Sequence, residues 1–322
     1  MNHIRVAVVG TGSFGRNHVR VLHQNPMAEL AGVVDLNRDR AAAVAGEFAC
    51  AVYADVAELR GKIDAAVVAV PTGSHAEIGC ALMAQGIDVL IEKPIAGSME
   101  QAQALLNAAR EHRRILQVGH LERFNPAVIA LKKVCRLPLF FEIHRMSLFS
   151  PRSLDVDVVL DLMIHDLDIV LDLVGKMPEE IRAAGISILS EKVDIANVRL
   201  AFPGGCVANL TASRVSTERV RKVRMFQPEQ YISLDYQRQD GAVFSVSGEQ
   251  QIGYQPLSVT KDEPLKLELD SFLESIAARQ SSGVSGEEGT RALSVALAIL
   301  DKIEEHTKLV ANTLRHPKAL LL

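Results

Sequence analysis

Short apolar runs alternate with helical stretches over the first 120 residues, and this alternation limits the possible folds more than any other feature of the chain. The apolar runs have the length and β-branched content of buried strands. They are Ile4–Val9, Leu30–Val34, Ala65–Val70, Val89–Ile91 and Ile115–Val118. The helical stretches between them are Phe14–Gln24, Arg38–Phe48, His75–Gln85 and Met99–Glu111. This order is typical of a parallel sheet with right-handed crossovers, so we predict an α/β domain over residues 1–122.

The pattern changes after Asn125-Pro126, where consecutive strand-like segments alternate apolar and polar residues as half-buried antiparallel strands do. Three of them are Ile181–Leu189, Ile195–Phe202 and Val207–Arg214, and further strands are predicted at Phe140–His144, Tyr231–Tyr236 and Ala242–Ser247. We therefore predict a second, α+β domain over residues 123–322 with a large, open, mainly antiparallel sheet. The last two helical stretches, near Leu265–Arg279 and Glu287–His306, are expected either to complete this domain or to pack back on the first one.

The open face of that sheet must be covered, which predicts a homodimer or homotetramer assembled through it. The side chains expected on this face are Ile195, Val198, Leu200, Val207 and Asn209.

Composition argues against several classes of protein. The chain has 35 Lys+Arg and 39 Asp+Glu in 322 residues, a net charge of −4 that does not favour nucleic acid or a membrane surface as a partner. No apolar run approaches the length of about 20 residues that a membrane span needs, and no signal-peptide pattern is recognised. The four cysteines are scattered without a C-x-x-C pair, so we expect reduced thiols in a cytoplasmic protein. They are Cys50, Cys80, Cys135 and Cys206.

A G-x-G-x-x-G motif follows the first predicted strand directly and opens the next helix, the context in which it indicates dinucleotide binding. Gly10 permits a tight turn, Gly12 lets the backbone approach a pyrophosphate, and Gly15 lets the helix pack against the strand. The helix N-terminus offers free N–H groups to the phosphates. The sequence therefore predicts a Rossmann domain whose nucleotide loop is Gly10, Thr11, Gly12, Ser13, Phe14 and Gly15.

Asp35 ends the second predicted strand, 20 residues after Gly15. A carboxylate at this point accepts hydrogen bonds from the ribose hydroxyls of NAD and repels the 2′-phosphate of NADP. We therefore predict NAD as the cofactor. Arg38 is close enough in sequence to offer a phosphate partner, which leaves NADP open as a second choice.

Glu92-Lys93-Pro94 ends the fourth predicted strand, at the sheet edge where ligands bind in open α/β folds. An ammonium group there can stabilise the alkoxide that forms during hydride transfer. In isolation, this tripeptide favours the alternative of an ordinary surface lysine after a strand.

Asp161, His165 and Asp168 have the i, i+4, i+7 spacing of one helix face, within a long helix predicted over roughly Asp157–Leu173. Their face is polar in an otherwise apolar helix. His165 is a candidate general base, and Asp161 a group that orients it or holds substrate. A hydrogen-bonded structural histidine is the alternative. No third or fourth ligand is evident for a metal, and we predict none.

Together with Val70-Pro71-Thr72 and His75, these motifs resemble the Gfo/Idh/MocA family of sugar and polyol oxidoreductases over nearly the whole chain. The resemblance implies hydride transfer between a sugar hydroxyl or ketone and a nicotinamide, with an open-sheet domain that forms oligomers. It implies a catalytic set of Lys93, Asp161 and His165. It adds to the nucleotide loop the cofactor-binding residues Val70, Pro71, Thr72, His75, Glu92 and Lys93.

The segment Gly119–Pro126 resembles a branch of this family that includes UDP-N-acetylglucosamine 3-dehydrogenases, which implies a nucleotide-linked sugar as substrate. Arginines can grip a diphosphate in bidentate fashion. The candidate substrate-binding residues are His120, Arg123, Asn125, Arg152 and Asp168, with further positive charge from Arg214. Ion pairs with acids close in sequence are the alternative for each arginine.

Three other functions stay open. One is an inositol or free-sugar dehydrogenase of the same family. Another is an enzyme of this fold that begins dehydration or glycoside cleavage with a transient oxidation. The third is a non-catalytic NAD sensor, which the intact Lys93, Asp161 and His165 argue against.

Overall fold

The computed structural model describes residues 3–149, 156–246, 251–280 and 283–315, and these fall into two compact units. The chain leaves the first unit after Phe124, returns to it at Asp262, and leaves it again after Leu293. The second unit begins at Asn125 and takes up the chain once more from Ser294. The first unit is therefore built from two separate stretches of sequence.

The strands and helices are numbered in chain order. The strands are β1 (Ile4–Val9), β2 (Ala28–Val34), β3 (Ala51–Tyr53), β4 (Ala65–Val68), β5 (Asp88–Glu92), β6 (Leu116–Gly119), β7 (Phe140–Leu148), β8 (Glu180–Ile186), β9 (Ile195–Ala201), β10 (Val207–Ser216), β11 (Val220–Gln227), β12 (Gln230–Asp235), β13 (Asp240–Val246) and β14 (Ile252–Pro256). The helices are α1 (Ser13–Gln24), α2 (Arg38–Phe48), α3 (His75–Ala84), α4 (Met99–Glu111), α5 (Pro126–Val134), α6 (Ile164–Val174), α7 (Pro264–Ala278) and α8 (Gly286–Arg315). None of the helices described is long and apolar enough to cross a membrane.

The first unit contains a six-stranded sheet in the order β3-β2-β1-β4-β5-β6, and every neighbouring pair is parallel. This confirms the parallel α/β fold predicted from the alternating pattern. The strand order reverses between β1 and β4, the place where α/β sheets bind nucleotides at the carboxyl ends of their strands. The sequence analysis missed β3, which is only three residues long.

Helix α7 completes the core of the first unit although it lies far away in sequence. Its Leu269, Phe272 and Leu273 are fully buried in one cluster with strand residues such as Val8 and Val67. Burial of each such side chain contributes about 1.5–3 kcal/mol. The nucleotide-binding sheet therefore depends on the late helix for its packing.

The second unit contains an eight-stranded sheet in the order β14-β13-β12-β11-β7-β10-β9-β8. All its pairs are antiparallel except β7 with β10, which confirms the predicted mainly antiparallel sheet. Strands β11 and β14 were not predicted. Alternate residues of β9 and β10, such as Ala196 and Ala208, are buried on one face of the sheet.

The opposite face, which we call the open face, differs in part from the prediction. Val198 and Leu200 are fully buried, so the expectation that they lie on the open face is wrong. Because side chains alternate along a strand, their neighbours occupy that face instead. Asn197 donates a hydrogen bond to Thr211 across the strands at 2.8 Å, and Arg199 donates one to Asn209 at 3.2 Å.

Five aromatic rings cross the open face from β7 to β14, and we call this row the aromatic ladder. Successive ring centroids lie 5.8, 4.8, 5.4 and 5.4 Å apart, within the range of favourable ring contacts. The members are Phe140, Phe226, Tyr231, Phe244 and Tyr254. Tyr254 is 65% exposed and Phe226 37% exposed, so the ladder presents apolar area on the second unit.

Candidate active site

The loop between β1 and α1 requires glycine at two positions because of its own packing. Gly10 has a positive φ of 91°, and a Cβ there would lie 2.5 Å from the carbonyl oxygen of Ala69. A Cβ on Gly15 would overlap the carbonyl oxygen of Gly10. Both contacts are impossible for any other residue, so these glycines seat helix α1 directly behind the strand.

Gly12 differs from these two because a Cβ built on it meets no described atom within 4 Å. Gly12 is also the N-cap residue of α1, and among the described residues no side chain caps that helix start. Free N–H groups at the helix start therefore face open space, which is what a pyrophosphate needs. The loop fits a dinucleotide on this observation.

A cavity of about 770 Å³ opens beside this loop at the carboxyl edge of the sheet. It brings together most of the residues predicted to bind cofactor: Gly10, Gly12, Ser13, Phe14, Asp35, Val70 and Pro71. Thr11 lines a neighbouring cavity of about 360 Å³. The cavity is also lined by Leu36, which is completely exposed and which the sequence analysis did not select.

The Asp35 carboxylate accepts hydrogen bonds from three neighbouring residues, and its side chain is only 3% exposed. Thr11 donates to it from its backbone N–H and its hydroxyl group, both at 2.7 Å, and Asn37 N–H donates at 2.8 Å. Arg40 adds a bidentate pair at 2.8 and 3.1 Å. Burial alone would raise the pKa of Asp35, but the hydrogen bonds from Arg40, Thr11 and Asn37 hold it well below its usual range.

The cation next to Asp35 is therefore Arg40 and not Arg38, the residue considered from the sequence. Arg38 is the first residue of α2 and is exposed. Two helical positions differ by about 200° around the axis, so only one of these arginines can point toward Asp35.

Lys93 directly follows β5 and begins a segment that makes hydrogen bonds with Glu92 and with His75. Its peptide bond to Pro94 is cis, and its N–H donates to the Glu92 carboxylate at 3.3 Å. The ring of His75, 1% exposed, lies between the carbonyl oxygens of Pro94 and Val70 at 3.0 and 2.9 Å. His75 thus joins the chain segments that follow β4 and β5.

Behind Lys93 lies a buried polar cluster that the sequence analysis missed entirely. His18 Nε2 lies 2.7 Å from Glu92 Oε1, and Glu268 offers a third ligand-type atom, all three within 4.8 Å of one another. Glu268 is fully buried, and neither of its carboxyl oxygens has a hydrogen-bond partner among the residues that the structure describes. Burial and the neighbouring charge of Glu92 raise the pKa of Glu268 well above its ordinary value.

In the second unit, the predicted helix around His165 is present but is not regular. Val159–Met163 forms a π turn, in which Ile164 N–H bonds to the carbonyl oxygen of Val159, before α6 begins. π turns inside helices are frequent at functional sites. Asp161 and His165 are both partly exposed, whereas Asp168 is 2% exposed.

An ion pair packs directly behind this segment. Arg145 on β7 holds the Asp166 carboxylate in a bidentate contact at 2.7 and 2.8 Å, and both side chains are 2% exposed. The guanidinium also lies over the ring of Tyr236, 5.3 Å from its centroid. Asp166, which directly follows His165, is therefore anchored to the sheet through Arg145.

Comparison with known proteins places the chain in a family. Residues 4–120 match an oxidoreductase family with an NAD-binding Rossmann fold, and residues 144–229 match the C-terminal domain of the Gfo/Idh/MocA proteins. A UDP-N-acetylglucosamine 3-dehydrogenase of Acidithiobacillus ferrooxidans is 36% identical over 313 residues, which cover 94% of this chain and 98% of the relative. The chain belongs to the Gfo/Idh/MocA oxidoreductase family. The family resemblance seen in the sequence motifs is thereby confirmed.

Solved structures agree with this placement. The A. ferrooxidans UDP-N-acetylglucosamine 3-dehydrogenase matches with a TM-score of 0.90 at 36% identity, over 95% of this chain and 99% of that one. In the sequence comparison, an inositol 2-dehydrogenase of Rhizobium meliloti is 25% identical over 94% of this chain and 97% of its own length. A levoglucosan dehydrogenase in complex with NADH and levoglucosan has a TM-score of 0.85 over 94% of this chain and 98% of that one, and its 19% identity shows the fold alone.

Within this Gfo/Idh/MocA chain, most residues predicted to bind substrate also make contacts inside their own unit. His120 is 1% exposed, and Arg123 pairs with Glu288 at 3.1 Å. Asn125 caps α5 through Ala127 N–H at 3.1 Å and donates to the carbonyl oxygen of Tyr236 at 3.0 Å.

Arg214, 5% exposed, donates to the carbonyl oxygen of Val156 and lies 3.7 Å from Asp194. Arg152 lies outside the described residues. Arg123 thus pairs with Glu288, an acid that is remote in sequence and that the sequence analysis did not consider.

Proposed function

We propose that the protein is an NAD-dependent dehydrogenase that oxidises the 3-hydroxyl of UDP-N-acetylglucosamine. The observation that carries the proposal is the similarity to the A. ferrooxidans enzyme, 36% identical across 94% of this chain, against 25% for the R. meliloti inositol 2-dehydrogenase. Because that relative is named for its action on UDP-N-acetylglucosamine and matches this chain over nearly its full length, it supports a UDP-linked sugar as the substrate class of this protein.

The first unit supplies the nucleotide site. The open space at Gly12 and the uncapped start of α1 suit the pyrophosphate, and the Asp35 carboxylate suits the ribose hydroxyls of NAD. Bound NAD supplies the acceptor for the hydride. We expect NAD to bind at least about tenfold more tightly than NADP, because a buried carboxylate repels a 2′-phosphate.

The catalytic roles that we propose follow the family motifs. Lys93 donates a hydrogen bond to the substrate oxygen and stabilises the negative charge that develops as the C–H bond breaks. His165 takes the hydroxyl proton, and Asp161 keeps its ring in position. The C–H electron pair leaves as hydride and the hydroxyl proton goes to imidazole, so the products are a ketone and a protonated base.

Assembly and location belong to the same proposal. We propose a homodimer or homotetramer held through the open face, because the aromatic ladder exposes Phe226 and Tyr254 there. The four cysteines are free thiols in the structure, which supports a reducing, cytoplasmic location. The division into a nucleotide-binding domain over 1–122 and a substrate and assembly domain over 123–322 is proposed likewise, with α7 as an addition to the first.

The test is NADH formation with UDP-N-acetylglucosamine, compared with myo-inositol and free glucose at equal concentrations. An aminotransferase with its amino donor removes the ketone, so that an unfavourable equilibrium does not hide turnover. The Lys93→Met variant is the control, and it should lose on the order of a hundredfold or more in kcat. Turnover of inositol or glucose with none on the UDP-sugar would overturn the substrate proposal and favour the inositol dehydrogenase alternative.

A further inference from the structure

We propose that His18, Glu92 and Glu268 form a buried positioning cluster that holds Lys93 in place from behind, with Glu268 as its neutral acid member. This inference rests on the catalytic role proposed for Lys93. The three residues come from α1, β5 and α7, so the cluster joins three separate elements of the first unit.

The link to Lys93 passes through one carboxylate. Glu92 Oε2 accepts the Lys93 main-chain N–H at 3.3 Å, while Glu92 Oε1 lies 2.7 Å from His18 Nε2. His18 is fully buried and Glu92 8% exposed, so neither side chain is free to move into water. A Cβ on Gly119 would also press on the Glu92 carboxylate at 3.1 Å. The start of the Lys93 segment is therefore held by the Glu92 carboxylate, which His18 holds in turn and for which Gly119 leaves room.

Glu268, the third member of the cluster, is expected to be uncharged. A buried carboxylate without hydrogen-bond donors is costly, and the nearby charge of Glu92 adds to the cost. The titratable groups around Glu268 are His18 on α1 and Glu92 on β5, and Glu122 is also buried on the 3₁₀ turn that packs against α7. Gln117 contributes a neutral amide, which donates to the main-chain oxygen of Glu268 at 3.4 Å.

The same three residue types could in principle bind a divalent metal ion, but the geometry favours a hydrogen bond. Two N/O ligands at tetrahedral angles on one zinc ion lie about 3.3–3.4 Å apart. The 2.7 Å between His18 Nε2 and Glu92 Oε1 is the length of a charge-assisted hydrogen bond instead. This distance therefore favours a hydrogen bond between His18 and Glu92.

A matched pair of amide variants tests the positioning role. His18→Gln keeps an N–H donor near the place of Nε2, whereas His18→Asn is too short to reach Glu92. We expect His18→Asn to lower kcat by about thirtyfold or more, since small displacements of a catalytic group are costly. The KM for the sugar and the Kd for NADH should stay within about threefold, and His18→Gln should keep kcat within about threefold of wild type.

Two controls separate the possible failures. Leu22→Ala weakens the same helix without removing a polar group, so it reports the effect of destabilisation alone. Lys93→Met reports whether Lys93 is catalytic. If Lys93→Met keeps turnover, the proposed function fails. If Lys93→Met loses turnover while His18→Asn matches Leu22→Ala, the positioning inference is overturned.

Glu268→Gln tests the neutral acid. A carboxyl group that stays protonated in the folded protein but ionises in the unfolded chain, above about pH 4.3, makes wild type less stable as pH rises. Glutamine does not ionise, so the Tm of Glu268→Gln relative to wild type should be higher at pH 8 than at pH 5. An equal loss of Tm at both values would overturn the assignment, as would one equivalent of bound zinc in wild type that His18→Asn lacks.

Discussion

Arg40 is the residue through which the choice between NADH and NADPH can be changed, and the substitution to make is Arg40→Ala. Five hydrogen bonds reach the Asp35 carboxylate, and two of them come from the Arg40 guanidinium. In the proposed NAD complex, the ribose hydroxyls compete with those two donors for the carboxylate. A 2′-phosphate would instead draw the guanidinium away from Asp35 to itself.

The size of the effect follows from exposure and charge. The Arg40 side chain is 50% exposed, so its pair with Asp35 is worth only about 0.2–1 kcal/mol. Its removal should therefore strengthen NADH binding by no more than about fivefold. A charge-assisted contact to phosphate is worth about 1.5–3 kcal/mol, so NADPH binding should weaken by about ten- to a hundredfold.

The assay is titration of both reduced cofactors into wild type, Arg40→Ala and Arg38→Ala, followed by nicotinamide fluorescence or calorimetry. Arg38→Ala is the matched control, because it removes the same charge from the same helix and Arg38 is not among the described partners of Asp35. The reasoning is refuted if Arg40→Ala leaves NADPH affinity within about twofold of wild type, or if both variants change it equally.

Three further predictions concern the second unit. His165→Ala should remove the fall in kcat/KM at low pH, where a catalytic imidazole becomes protonated, and an unchanged profile would exclude His165 as the base. Phe244→Arg in the middle of the aromatic ladder should yield a monomer of about 35 kDa by light scattering, whereas an unchanged larger assembly would place the interface elsewhere. Burial opposes ionisation of Asp194, but N–H donors from Leu189, Ile188 and Ser190 lower its pKa to about 2. Asp194→Asn should therefore cost about 2 kcal/mol of unfolding free energy at pH 7, and denaturant titration should show the difference from wild type shrinking as pH falls from about 4 to 2; a constant difference would contradict it.

The parallel sheet was predictable because its strands are buried on both faces and appear as uninterrupted apolar runs. The strands that were missed lack that signal for identifiable reasons. β11 carries three cationic side chains, which hide the alternation of its buried Val223 and Met225. β14 is only five residues long and is exposed along its whole length, so it has no buried side chains to mark it.

The parts of the candidate site that were predictable are those whose position depends on one short segment of sequence. The glycine loop and Asp35 lie at fixed distances from strand ends, so their placement followed from the sequence. The partner of Asp35 depended on where helix α2 begins, which decides between Arg38 and Arg40.

The buried cluster depended on tertiary packing, since His18, Glu92 and Glu268 are far apart in the chain. The π turn at Val159–Met163 likewise has no sequence signature that we recognised.

The place of α7 in the sequence has a consequence for the order of events on the ribosome. The strands of the first unit emerge early, but Leu269 and Phe272, which close their core, follow only after the 137 residues from Asn125 to Lys261. At 5–20 residues per second, this delay is roughly 7 to 27 seconds. During that time the nascent nucleotide-binding domain exposes the apolar surface that α7 later covers. A fragment that stops at Phe124 should therefore stay bound to a chaperone, whereas the full chain can fold and dissociate from it.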